Sequence, residues 1–123
     1  RLPLVVSNLL DNAVRYNVEN GEIIVKVKKA EQGPFLEVSV SDTGIGIPSN
    51  EIDRLFAKFF RASNAAKTVT EGSGLGLYIA KSIVQAHGGR IWAESELNRG
   101  TTIHFTLPTD PTLVPPKEVP MEY

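Results

Sequence analysis

Asp42-Thr43-Gly44-Ile45-Gly46-Ile47-Pro48 is the stretch that decides how this chain folds. Ahead of it, Leu36, Val38 and Val40 alternate with Glu37, Ser39 and Ser41, the two-residue period of a half-buried strand, so Asp42 falls where that strand stops. A carboxylate at that place can accept a hydrogen bond. Gly44 and Gly46 have no Cβ, which lets the backbone turn tightly or a flat ligand lie against it, and Pro48 blocks continuation of the strand. The stretch reads as the floor of a pocket. Plain loop geometry gives the same pattern, so the reading depends on what accompanies it.

The strand has a partner upstream. Ile23, Val25 and Val27 alternate with Glu22, Lys26 and Lys28 in a segment from Glu22 to Ala30, the pattern of a strand with one face toward the core. Gln32-Gly33-Pro34 supplies the turn of a hairpin. Before it, Pro3 to Tyr16 has helical periodicity, with Leu2, Val6, Leu9, Leu10 and Ala13 on one stripe. Asn8 and Asn12 share a face of that helix, with Arg15 about one turn on. Two asparagines among apolar neighbours make a polar patch beside the core, or simply a wet helix edge. Asn17 to Gly21 ends the helix.

Downstream, Ser49 can cap a short helix whose acids Glu51 and Asp53 suit its N-terminal dipole and whose Ile52, Leu55, Phe56 and Phe59 stack at helical spacing. Phe60 to Ser73 is polar and small, without sustained periodicity, and reads as a long mobile loop of the kind that serves as a lid. Gly72-Ser73-Gly74-Leu75-Gly76-Leu77 then opens a helix with Leu75, Ile79, Ile83 and Ala86 on one face, closed by His87-Gly88-Gly89. A glycine-rich loop feeding a helix N-terminus is an anion site, because free N–H groups point outward and the dipole favours negative charge. No Gly-Lys-Ser/Thr follows, so it is not a P-loop, and its spacing is not the dinucleotide fingerprint. Arg90 to Ser95 and Thr101 to Leu107, around an Asn98-Arg99-Gly100 turn, form the last two strands. Neither His87 nor His104 has a ligand set near it in sequence.

The 123 residues suffice for one core and not for two ordinary domains. A net charge of -1 gives no basic field, which disfavours a nucleic-acid partner. The absence of cysteine removes disulfides, zinc-thiolate sites and thiol catalysis, and suits a reducing compartment. No apolar run approaches the roughly 20 residues of a membrane span, so no membrane contact is expected of this piece. Arg1-Leu2-Pro3 runs straight into helical periodicity, which suggests a fragment of something longer. Residues 109–123, rich in proline, read as a linker or disordered tail after a single domain over residues 1–108.

Together the four polar and glycine-rich stretches resemble the catalytic, ATP-binding domain of two-component sensor histidine kinases, within the wider group of DNA gyrase and mismatch-repair ATPases. Asn8-Leu9-Leu10-Asp11-Asn12-Ala13-Val14-Arg15-Tyr16 resembles the family's N box and Asp42-Thr43-Gly44-Ile45-Gly46 its first glycine box. Leu55-Phe56-Ala57-Lys58-Phe59-Phe60-Arg61 is similar to the F box, and Gly72-Ser73-Gly74-Leu75-Gly76-Leu77 to the second glycine box. The resemblance implies a two-layer α/β (α+β) sandwich of the Bergerat type: a mixed, mostly antiparallel sheet with three helices on one face.

The resemblance also implies the ligands. Asp42 would accept from the adenine amine, with Gly44 and Gly46 admitting the purine and Tyr16 packing on it. Asn12 would hold Mg²⁺, beside Asn8, while Arg15, Arg61 and Lys58 or Lys67 would meet the phosphates of ATP. Gly72, Gly74, Leu75 and Gly76 would offer N–H groups, and Thr101 would reach the adenine through water. Where hydrolysing relatives have a glutamate, Asn8 has no basicity, so the site should hold ATP without cleaving it quickly. The expected acceptor is a histidine on a dimerising phosphoacceptor domain of the same kinase, dimeric at full length. A response regulator would act downstream and the location would be cytoplasmic. A docking module that has lost catalysis, a serine kinase of the anti-sigma type and a hydrolysing ATPase stay open as other readings.

Overall fold

The computed structural model describes residues 1–64, 74–110 and 112. Helix α1 spans Leu2–Arg15, with proline in its first turn, where the missing N–H would have had no intrahelical acceptor anyway. Strands β1 (Ile23–Lys29) and β2 (Phe35–Asp42) form the expected hairpin, with Val25 opposite Val40 and Ile23 opposite Asp42. Helix α2 covers Gly76–Ala86, and β3 (Ile91–Glu96) pairs with β4 (Gly100–Pro108) in a second hairpin. β2 pairs with β4, so the sheet order is β1-β2-β4-β3 and each neighbouring pair is antiparallel. The mixed sheet implied by the resemblance is therefore corrected to an antiparallel one among the described residues.

α1 packs against α2 and β2, and α2 against β3 and β4, so both helices share one face of the sheet. Their contact is made by Val5, Leu9 and Ala13 of α1 and Ala80, Ile83 and Val84 of α2, which close over Val40, Ile103 and Phe105. Each Leu- or Phe-sized side chain buried this way contributes about 1.5–3 kcal/mol. The buried stripes are rotated from those read in the sequence: Val5 replaces Leu2 and Val6 as the leading core residue of α1, and Ala86 of α2 is exposed.

Two further expectations are corrected. Alternation predicts a half-buried β1, yet beyond Ile23 the strand is exposed on both faces, with Val27 63 % accessible, because the helices do not reach that edge. The helix expected after Ser49 does not form among the described residues: Ile52–Arg54 make one 3-10 turn, followed by turns through Phe59. Ile47, Leu55 and Ala62 instead gather into a second small core with Tyr16, Ile45 and Phe60 at its margin. Two α-helices, not three, thus cover the sheet among the described residues. No helix there is long and apolar enough to cross a membrane. The proposed tail lies almost wholly outside the described residues.

Candidate functional site

Between α1, the loop after β2 and the start of α2 lies a cleft of about 270 Å³. α1 contributes Asn8, Asn12 and Arg15 from one side, as the four-residue spacing of the asparagines requires, and Tyr16 follows at its C-cap. The β2 end and following loop contribute Asp42 and Gly46, and Arg61, Gly74, Gly76 and Thr101 complete the wall. Ten residues singled out in the sequence therefore line one cavity. Gly44, Lys58 and Leu75 are not among its lining residues, and Gly72 and Lys67 lie outside the described residues. Lys58 extends its ammonium to 4.9 Å from the centroid of the Tyr78 ring, a cation–π contact.

The end of α1 is stitched to the end of β2. The Thr43 hydroxyl donates to Asn17 Oδ1 at 3.0 Å and accepts the Glu22 amide at 2.8 Å, while Asn17 Nδ2 donates to the Glu22 carbonyl at 3.0 Å. This seam brings Gly44 under Tyr16, whose carbonyl accepts the Ile45 amide at 3.1 Å. A Cβ on Gly44 would stand 2.1 Å from that carbonyl oxygen, so here glycine serves close approach of backbone to backbone.

Asp42 is held by two amides on one oxygen: Gly44 N–H donates to Oδ1 at 2.8 Å and Thr101 N–H at 3.2 Å. The other oxygen makes no hydrogen bond among the described residues and belongs to a side chain that lines the cleft. Burial raises the Asp42 pKa above the ordinary value and outweighs the two amides, which lower it. The carboxylate is thus kept poor in solvent and rich in acceptor capacity.

Across the cleft, the turn into α2 is shaped by a backbone pair. Gly74 has φ +74°, and its carbonyl accepts the amide of Phe59, itself at φ +62°, at 2.8 Å. A side chain on Gly74 would meet Phe59 Cα at 2.7 Å. The first amides of α2 have no intrahelical acceptors and carry the positive end of the helix dipole. Asn8 reaches this turn directly, donating from Nδ2 to the Gly76 carbonyl at 3.0 Å.

The segment after Arg61 is clasped to the loop after β2. Glu51 accepts from the Ser63 amide at 2.9 Å and the Ser63 hydroxyl at 2.7 Å, and Asn64 Nδ2 donates to the Gly46 carbonyl at 2.8 Å. The Ser63 bonds hold the Glu51 carboxyl below its ordinary value. Glu51 is 8 % accessible, but its cover is thin, so hydrogen bonding outweighs desolvation.

Sequence reasoning missed the apolar part of the wall, formed by Ile45, Ile47, Leu55, Phe60, Ala62 and Leu77, and also Asp11. Ile45 and Ile47 were visible as the residues between and after the glycines. Ser95 was missed altogether; its hydroxyl bridges Ile47, Gly100 and Thr101. The histidines are engaged away from the cleft. His87 Nδ1 lies 2.8 Å from the Ile83 carbonyl, and His104 stacks on Trp92 and sits 2.6 Å from Glu94.

The model of the histidine kinase-, DNA gyrase B- and HSP90-like ATPases matches residues 1–111. The chain belongs to that family. It is 44 % identical over 108 residues to the sensor histidine kinase WalK of Bacillus subtilis (strain 168), a match that covers 88 % of this chain and 18 % of WalK. Among solved structures it superposes on the mycobacterial sensor histidine kinase MprB with a TM-score of 0.77 at 36 % identity, covering 85 % of this chain and 70 % of that one. Full-length ShkA in complex with AMPPNP gives 0.73 at 30 % identity over 87 % of this chain and 21 % of ShkA. The chain thus matches the catalytic ATPase-type domain of sensor histidine kinases and spans less than a fifth of WalK's length.

Proposed function

We propose that the chain binds Mg·ATP in the cleft and donates the γ-phosphoryl group to a histidine on a separate dimerisation and phosphoacceptor domain of the same kinase. A response regulator then receives the signal in the cytoplasm. The observation that carries this is the convergence of Asn12, Asp42 and the Gly74–Gly76 turn on one cavity. A purine amine donates to Asp42, and the apolar wall of Ile45, Ile47 and Leu77 takes the ring faces. The triphosphate then extends toward Arg15, Arg61 and the first amides of α2, where fixed dipoles and guanidinium groups meet its charge. Arg15 and Arg61 reach the triphosphate as hydrogen-bond donors and not as bases, so the site acts by positioning and electrostatics.

The cleft fits a magnesium ion carried with the nucleotide. Among the described residues no group of three or more His, Cys, Asp or Glu side chains could hold a metal alone, so phosphate oxygens must supply ligands. The Asn12 amide lines the cleft and makes no hydrogen bond among those residues, which leaves its oxygen for a hard cation. Bound there, the ion would neutralise phosphate charge. Asn8, whose amide nitrogen is taken by Gly76, offers no base for water, which favours storage of ATP over its hydrolysis.

The test mixes the chain with a separately made phosphoacceptor domain and radiolabelled ATP. Label on the acceptor histidine, lost in Asp42→Asn or Asn12→Ala, is the expected result. No transfer despite confirmed nucleotide binding overturns the kinase reading.

A further inference from the structure

We infer that Ser95 is a positioning residue for base selectivity, because it fixes the direction in which the Thr101 hydroxyl points its proton. The inference rests on the proposed binding of an adenine nucleotide in the cleft and deepens it. Three groups surround the Ser95 oxygen: the Ile47 amide at 2.8 Å, the Gly100 carbonyl at 3.0 Å and the Thr101 hydroxyl at 2.8 Å. A serine hydroxyl has one proton and two lone pairs. The Ile47 N–H can only donate and the Gly100 carbonyl can only accept, so Ser95 gives its proton to Gly100 and one lone pair to Ile47. The remaining lone pair requires Thr101 to be the donor.

Thr101 is thereby spent as a donor. It is 6 % accessible and lines the cleft, and its oxygen makes no other hydrogen bond among the described residues, so what it offers a ligand is lone pairs. The same residue's amide holds Asp42 Oδ1, leaving the second carboxylate oxygen as another acceptor. Two acceptors on adjacent strands suit an amino group and repel a keto oxygen. Ser95 therefore turns a hydroxyl, which by nature suits either, into a discriminator between adenine and a base with a keto group in place of the amine. A mismatch of this kind is costly, because an acceptor facing an acceptor forfeits the hydrogen bond that the amine makes.

The experiment measures dissociation constants of ATP and inosine triphosphate, which carries the keto oxygen, by calorimetry on the full 123-residue chain. In Ser95→Ala the Thr101 proton is freed to turn into the cleft. The ratio of the inosine triphosphate constant to the ATP constant is expected to fall about fivefold, the size of one hydrogen bond changed in sign of fit. In a Thr101→Val background the same Ser95→Ala change should leave the ratio where it is. A general loosening of the site weakens both nucleotides and does not move the ratio in this way. An unchanged ratio in Ser95→Ala that still binds ATP overturns the inference alone, as does a fall that persists with Thr101→Val. If Ser95→Ala does not fold, Thr101→Val by itself decides: it removes the acceptor, so an unchanged ratio overturns the inference. Failure of the wild-type chain to bind ATP overturns both this inference and the adenine reading beneath it.

Discussion

The side-chain amide of Asn8 donates to the carbonyl oxygen of Gly76 at 3.0 Å across 68 residues of sequence. One residue of α1 thus fixes the first turn of α2 at the mouth of the cleft. Asn8→Asp keeps the shape but sets a carboxylate oxygen against the carbonyl. It is expected to lower the unfolding free energy by about 1–2 kcal/mol, read by chemical denaturation at neutral pH.

Asp42→Asn should separate stability from binding. A carboxyl whose folded pKa is raised stabilises the fold below its unfolded value of 3.8, and that contribution is lost as pH rises through the folded pKa. At pH 7 the ionised Asp42 is therefore a burden. The substituted amide would keep an oxygen for the Gly44 and Thr101 N–H groups, so the variant is expected to melt at or above the wild-type temperature at pH 7, the difference closing toward pH 4. ATP affinity should nevertheless fall by at least about tenfold, the loss of one charge-assisted hydrogen bond.

Glu51 has the opposite sign. Its pKa is lowered, chiefly by the Ser63 hydroxyl and amide, so the stability it brings is present above its unfolded value of 4.5 and is lost as pH falls through the folded value. Melting curves of wild type and Glu51→Gln should be furthest apart near neutrality, with the wild type higher, and should converge as the solution is acidified below 4.5.

Phe59 occupies the left-handed region at φ +62° while 68 % exposed, so its backbone is strained and its ring gains little from burial. Phe59→Gly relieves the clash between Cβ and the following carbonyl. It is expected to raise the unfolding free energy by about 1 kcal/mol in urea titrations.

Asn12→Ala tests the metal reading. In magnesium buffer the variant should bind ATP about tenfold more weakly than wild type, and the two should become equal when the ion is chelated. A difference that survives chelation would assign Asn12 to the nucleotide itself.

Much of this arrangement was readable because it is local. The helix of Leu2–Arg15 and both hairpins follow from periodicity and turn residues, and the Asn8–Asn12 spacing placed both side chains on the cleft face. The failure at Ile52, Leu55, Phe56 and Phe59 has a tertiary cause. Their spacing suits a helix, but Phe59 must leave the helical region to meet Gly74, and Leu55 is drawn into the small core with Ile47 and Ala62. β1 failed for a related reason: alternation shows two faces, not whether a neighbour arrives to cover one. Ser95 was invisible because its three partners come from Ile47, Gly100 and Thr101, and no pattern in one dimension joins them.

Phe56, Leu77 and Ala93 touch both the main core and the smaller one beneath the loop after β2. These three side chains are hinge pins shared by the scaffold and the cradle. Truncating any of them loosens both at once, so an engineer who wants to reshape the cleft without softening the whole molecule must leave them alone and work from Ile45, Thr101 and Arg61 instead.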